Sequence, residues 1–107
     1  MNVTIDYRPS YATAKVDLGP GEEIVVEAGA MVAMSTDLEL KTKARGGFLK
    51  SLGRATLGGE SFFLNTFSAP PSGGRIFLAP ALPGDMKMLQ LAGETLMVQS
   101  GSYIASS

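Results

Sequence analysis

The stretch "GEEIVVEAGAMVAMS", residues Gly21 to Ser35, contains two short apolar runs separated by a glycine. The runs "EEIVVE" and "AMVAMS" have the length and composition of β-strands. Gly29 lies between them, at a point where a positive φ angle costs a glycine little. This stretch therefore predicts two consecutive strands joined by a tight turn, which we interpret as a β-hairpin.

The same kind of pattern recurs outward from this stretch in both directions. Val3, Ile5 and Tyr7 alternate with polar residues, as expected for a strand with one face in water. Glycine and proline separate further strand-like runs, which include "RIFLAP", "MKMLQL", "TLMVQ" and "YIASS". We predict an all-β fold of about ten short antiparallel strands, arranged as a β-sandwich or a barrel-like roll. One segment loses the alternation, and we predict a short helix or a mobile loop near residues 46–58.

The opening stretch has a near copy at the end of the chain, "GETLMVQSGSYIASS", residues Gly93 to Ser107. A shift of 72 positions aligns the two copies with six identities in fifteen pairs: Gly21 with Gly93, Glu22 with Glu94, Val26 with Val98, Gly29 with Gly101, Ala33 with Ala105, and Ser35 with Ser107. An internal repeat defines architecture, so it is weighed before any motif. We predict one β-sandwich domain over residues 1–107, in which residues 93–107 begin a second, incomplete repeat unit. One alternative is that residues 93–107 close the sheet of the first unit, which would make residues 1–107 a complete sandwich. Another is that any two strand–glycine–strand units resemble each other.

The composition argues against several kinds of chemistry. The 107 residues include no cysteine and no histidine, so thiolate nucleophiles, disulfides and the commonest metal ligands are absent. The acidic residues are scattered and form no calcium-binding pattern. A formal net charge of −1 indicates no general attraction to nucleic acid, and we expect no binding to DNA. We therefore predict no catalytic residues, no cofactor and no metal site. The start of the sequence resembles neither a signal nor a transit peptide, which predicts a cytoplasmic protein.

Five of the nine basic residues fall in one short stretch that contains no acid: Lys41, Lys43, Arg45, Lys50 and Arg54. Phe48, Leu49 and Leu52 are interspersed among them. This basic cluster fits a small amphipathic element that contacts an anionic membrane surface, RNA or an acidic partner. We prefer the simpler interpretation of a solvated loop, because each glycine in the element weakens a helix by about 1 kcal/mol.

Methionines are frequent in the predicted strands, and we interpret them as core residues rather than as a binding surface: Met31, Met34, Met86, Met88 and Met97.

Four segments in order resemble the AIM24 family: "EAGAMVAM", "GGFLKSLGRATLGGESFFLNTF", "LAPALPGD" and "VQSGSYIAS". The resemblance covers the chain from about Pro9 to its end. It implies a β-sandwich of the type grouped with the tryptophan RNA-binding attenuation protein (TRAP-like), together with self-association. Eukaryotic relatives are mitochondrial and linked to inner-membrane organisation. The family has no established catalytic residues to transfer, and its members usually run to about twice this length with the β unit repeated.

These observations favour a non-enzymatic, self-associating β-scaffold in the cytoplasm of a prokaryote, peripheral to the membrane in one version of the hypothesis. It is expected to form a homo-oligomer through β edges. The first alternative is an RNA-binding module, which rests on analogy with the attenuation protein, and fold does not imply function. The second alternative is a sandwich that binds a small molecule or a sugar.

Overall fold

A computed structural model describes residues 1–41 and 63–107 of the chain. These residues form eight β-strands and one short 3₁₀ helix, Ser100–Ser102. The strands are β1 Asn2–Asp6, β2 Thr13–Leu18, β3 Glu23–Glu27, β4 Met31–Met34, β5 Glu39–Leu40, β6 Leu64–Ser68, β7 Gly74–Leu78 and β8 Ala105–Ser106.

The strands form two four-stranded antiparallel sheets that face each other. One sheet has the order β1-β2-β7-β4 and the other has the order β5-β6-β3-β8. Short connections carry the chain from one sheet to the other, at residues 19–22, 28–30, 35–38 and 69–73. The predicted all-β sandwich is therefore confirmed, and the described strands form two separate sheets rather than a closed roll.

Side chains alternate between the core and water, as a period of two requires. In β2, Ala14, Val16 and Leu18 are buried, and the residues between them are partly exposed. Val16 lies opposite Ile76 of β7, and Ile24 of β3 lies opposite Phe67 of β6. These residues belong to one apolar cluster between the sheets, which holds the sandwich together through the hydrophobic effect.

The connections define which strands face each other across the sandwich. Three of the four connections join strands at matching positions in the two strand orders, which places β2 over β3, β7 over β6 and β4 over β5; the fourth, residues 28–30, joins β3 to β4, two positions further along. Strands β1 and β8 consequently lie together at the opposite side. Val3, Met86, Ile104 and Ala105 pack against the edge of the core cluster, consistent with this arrangement.

Two of the ten predicted strands were wrong. The runs "MKMLQL" and "TLMVQ" lie in residues 86–99, a segment with no strand or helix that we call the arm. Their apolar residues suit a strand, yet a strand also needs a neighbour for its backbone N–H and C=O groups. No strand in the described part of the chain pairs with the arm.

The predicted hairpin was also wrong, because β3 and β4 belong to different sheets. The connection around Gly29, with φ of +87°, carries the chain across the sandwich instead. In the second copy, β8 contains the counterpart of Ala33 and pairs with β3. Gly93 has a positive φ like its counterpart Gly21, whereas Gly101 lies in the 3₁₀ helix. Whether residues 93–107 begin a second unit stays a prediction.

Candidate interaction surface

The edge strand β4 combines apolar composition with exposure. Its sequence is Met-Val-Ala-Met, and all four residues are exposed to solvent. It pairs with β7 along one edge, and no strand among residues 1–41 and 63–107 pairs with its other edge. The register shifts between Met31 and Ala33, so Val32 stands at a bulge, and it is 64% exposed. Proteins usually protect an edge of this kind with charges or proline, so a bare apolar edge favours pairing with another strand.

The core side of the sandwich is open at β4. Met31 lies opposite Leu78 and Met34 lies opposite Ile76, which places both methionines on the core side of the sheet. Leu78 and Ile76 are completely buried, whereas Met31 and Met34 remain 37% and 36% exposed. The apolar core surface therefore continues to the edge without being covered by the described residues.

The arm is a second exposed apolar surface. Met88, Leu89, Leu91, Leu96 and Val98 are each about half exposed, and Met97 is 94% exposed. Of the arm's side chains, Met86 packs against the core cluster. The prediction that five methionines are core residues was therefore wrong for Met31, Met34, Met88 and Met97. Alternation shows that a residue faces one side of a strand, but it does not show whether anything covers that side.

The residues on either side of the arm are anchored to the sandwich. At its start, the Arg8 guanidinium donates hydrogen bonds to both carboxylate oxygens of Asp85, at 2.8 and 3.1 Å. After its end, the Tyr103 hydroxyl donates to the Val25 carbonyl at 3.2 Å, and the Glu27 N–H donates to the Ile104 carbonyl at 2.8 Å. The arm is therefore fastened near both ends and exposed between them.

The acidic side chains with resolved pKa shifts act as structural ties. Hydrogen bonds from Arg8 hold the pKa of Asp85 below its usual range. The amino group of Met1 donates hydrogen bonds to both carboxylate oxygens of Glu22, and the Gly19 N–H donates to one of them. These hydrogen bonds lower the pKa of Glu22. A carboxylate with a lowered folded-state pKa stabilises the fold above its unfolded-state pKa, and this contribution is lost as the pH falls through the folded-state value.

The structure places only part of the predicted basic cluster. The Lys41 ammonium forms an ion pair with the Glu23 carboxylate at 2.9 Å, and both side chains are about half exposed. Lys43, Arg45, Lys50 and Arg54 lie outside the described residues, as does the helix or loop predicted near residues 46–58. The cluster as a contact for an anionic partner stays a prediction.

The described part of the chain has few features of other kinds of site. These residues contain no group of three or more acids able to hold a metal ion. They also include no helix long and apolar enough to cross a membrane. An open cleft of about 270 Å³ is lined by alanines, prolines and Gly84, with the side chains of Tyr11 and Thr13 as its polar groups. No charged side chain lines this cleft, so it offers no clustered acid or base.

The fold and the exposed surfaces together define a β-sandwich protein with an apolar edge strand that pairs on one edge only among the described residues. The chain belongs to the AIM24 family, whose model, described as mitochondrial biogenesis AIM24, matches residues 3–107. The resemblance in the sequence is thereby confirmed.

Two similar proteins come from Streptococcus pyogenes. An uncharacterized protein of serotype M6, M6_Spy0233, is 28% identical over 111 residues, which cover 98% of this chain and 44% of that protein. The crystal structure of protein SPYM3_0169 matches with a TM-score of 0.75 and 27% identity, covering 97% of this chain and 49% of the other. The chain thus spans about half the length of the relatives it matches.

Proposed function

We propose that the chain is a non-enzymatic β-scaffold that associates with copies of itself through the edge of β4. The observation that supports this most strongly is an edge strand whose four residues are all apolar and all exposed. Strand addition supplies backbone hydrogen bonds along such an edge and covers its side chains. Covering one large apolar side chain contributes about 1.5–3 kcal/mol when it passes from full exposure to burial.

The arm supports the same proposal. Leu96 and Val98 are 48% and 47% exposed, so about half of each side chain is available for a contact. The described residues therefore present two exposed apolar surfaces, which are more than the single scattered hydrophobic residues that are normal on a protein surface. The similar proteins are bacterial, which agrees with a prokaryotic origin for the chain.

The alternatives receive less support. An RNA-binding or membrane-binding role depends on the basic cluster, of which Lys41 alone is described, and its ammonium is paired with Glu23. A small-molecule site would be expected in a concave pocket with a few convergent polar groups. The open cleft beside Tyr11 has two hydroxyl-bearing side chains on its walls and lacks a charged group.

Lysine substitutions in β4 test the proposal. We expect Val32→Lys with Ala33→Lys to reduce the average mass measured by light scattering at a given concentration toward that of the monomer. Both side chains are exposed, so stability should change by less than about 0.5 kcal/mol per substitution. A charge at an edge strand blocks strand addition because it would be buried without a partner.

The matched control is Thr4→Lys, an exposed position on β1, the other edge strand of the same sheet. It should leave association unchanged. Equal masses for the parent and the β4 variant, with both proteins folded, would contradict the proposal.

A further inference from the structure

We infer that β4 of one copy pairs with residues 95–99 in the arm of another copy, antiparallel and in a definite register. The inference rests on the proposed function and specifies the contact in it. It combines two observations: the internal repeat, and a strand pair that joins the two repeat copies within one chain.

The chain already contains one contact between the repeat copies. The shift of 72 positions makes β8 the counterpart of part of β4 and makes residues 95–99 the counterpart of β3. In the structure, β8 pairs with β3, so the β4-like strand of the second copy lies against β3 of the first. Its register places Val25 opposite Ser106 and Val26 opposite Ala105.

The same relationship can be applied to the free edge of β4 and to residues 95–99, neither of which pairs with a described strand, and it yields a new pair. The β3 counterpart, residues 95–99, should accept the β4 of another copy. Shifting each residue by 72 positions converts the Val26–Ala105 pair into Val98 opposite Ala33, and the Val25–Ser106 pair into Met97 opposite Met34. The hydrogen bond from Glu27 N–H to the Ile104 carbonyl becomes one from Gln99 N–H to the Val32 carbonyl.

The residues named by this transfer are accessible. Met97 is the most exposed of the large apolar residues, and Val98, Met34 and Val32 are all more than a third exposed. Gln99 has extended backbone angles, φ −63° and ψ 141°, which are compatible with a strand. Gly21 and Gly93, which precede β3 and its counterpart, both have positive φ. Each segment therefore follows a left-handed glycine at the same repeat position.

The partner is a second copy because the two surfaces lie on opposite sides of the sandwich. β4 continues through residues 35–38 into β5, at one end of its sheet, whereas the arm leads into Tyr103 and Ile104, which bond to β3, and into β8 at the other end of that sheet, three strands from β5. Three strand spacings amount to about 14 Å, with the body of the sandwich between the two surfaces. A contact between unlike surfaces on opposite sides is head-to-tail, so it extends into a ring or a filament.

Disulfide trapping tests this register, and the chain lacks native cysteines that would interfere. Two single-cysteine proteins, Ala33→Cys and Val98→Cys, are mixed and oxidised. Residues directly opposite in an antiparallel pair have Cβ atoms about 5 Å apart, within reach of a disulfide. We expect a mixed dimer at twice the 11.2 kDa chain mass to be the main product.

Leu96→Cys is the matched control, because Leu96 and Val98 are equally exposed and two residues apart. Mixed with Ala33→Cys, it should crosslink much less. Equal crosslinking at both positions overturns the register, and so does an Ala33→Cys homodimer as the main product. A monomeric disulfide in a chain carrying both Ala33→Cys and Val98→Cys would show that the contact is internal. Light scattering of the parent protein distinguishes failure of this register from failure of the proposed self-association. If the parent is an oligomer but the mixed disulfide does not form, the register alone is wrong. If the parent is a folded monomer, the proposed function is wrong as well.

Discussion

Replacing Ile76 with alanine is expected to lower the free energy of unfolding by about 3–4 kcal/mol. Ile76 lies in the middle of the sandwich, opposite Val16 on one side and Met34 on the other, and none of its surface is exposed. The substitution removes buried methyl and methylene groups and leaves a cavity that the sheets cannot close completely. A domain of this size has about 5–15 kcal/mol of stability in total, so the loss is a large fraction of it.

Chemical denaturation followed by circular dichroism measures this change. The control is Phe77→Ala, the next residue on β7, whose side chain is on the outer face and 37% exposed. Phenylalanine loses more atoms than isoleucine in this substitution, yet the loss of stability should be smaller. If Phe77→Ala is the more damaging of the two, the assignment of inner and outer faces on β7 is wrong.

Replacing Gly73 with alanine is the second large effect, with an expected loss of about 3 kcal/mol or more. Gly73 ends the turn between β6 and β7, where its N–H donates to the Pro70 carbonyl, and its φ is +77°. A Cβ atom at this position would lie 2.7 Å from the carbonyl oxygen of Leu18. Because that oxygen belongs to the backbone of β2, it cannot rotate away, and the turn or the strand must move.

Gly29→Ala separates the two causes of this effect. Gly29 has a similar φ of +87°, but a Cβ atom there would meet nothing within 4 Å. We expect it to cost only about 1–2 kcal/mol, the usual penalty of a left-handed alanine. Thermal unfolding of both variants compares them directly. Equal losses of stability would show that the backbone angle alone determines the effect, and that the chain moves enough to remove the close contact between the new Cβ atom and the Leu18 carbonyl oxygen.

The strands that have a neighbouring strand on both edges were predictable from the sequence. In β2 the alternation of apolar and polar residues matches alternation between the core and water, since the strand has neighbours on both edges and one face on the core. In β3 three consecutive apolar residues predicted the strand, and the burial of Ile24 and Val26 shows which face is on the core. The positive φ predicted for Gly29 was also confirmed, at +87°.

The features of the candidate surface were harder to predict because they depend on what is missing around a strand. The methionines of β4 have the same pattern as core residues, and only the strand order shows that no described strand pairs with the outer edge of β4. The arm has a strand-like sequence, but a strand also needs a neighbouring segment to pair with. The sequence of the arm alone does not show whether such a neighbour is present. Likewise, the apparent hairpin at Gly29 became a crossing between sheets because β4 pairs with β7 instead of β3.

Hydrogen exchange of the β4 amides at two protein concentrations tests most directly whether the edge pairs with another copy. Amides that bond to β7 should be protected at both concentrations, because that pairing lies within one chain. Amides on the other edge of β4 should exchange fast in dilute protein and become protected as concentration rises, together with those of residues 95–99. The same fast exchange at both concentrations, in a chain that remains folded, would contradict self-association through this edge.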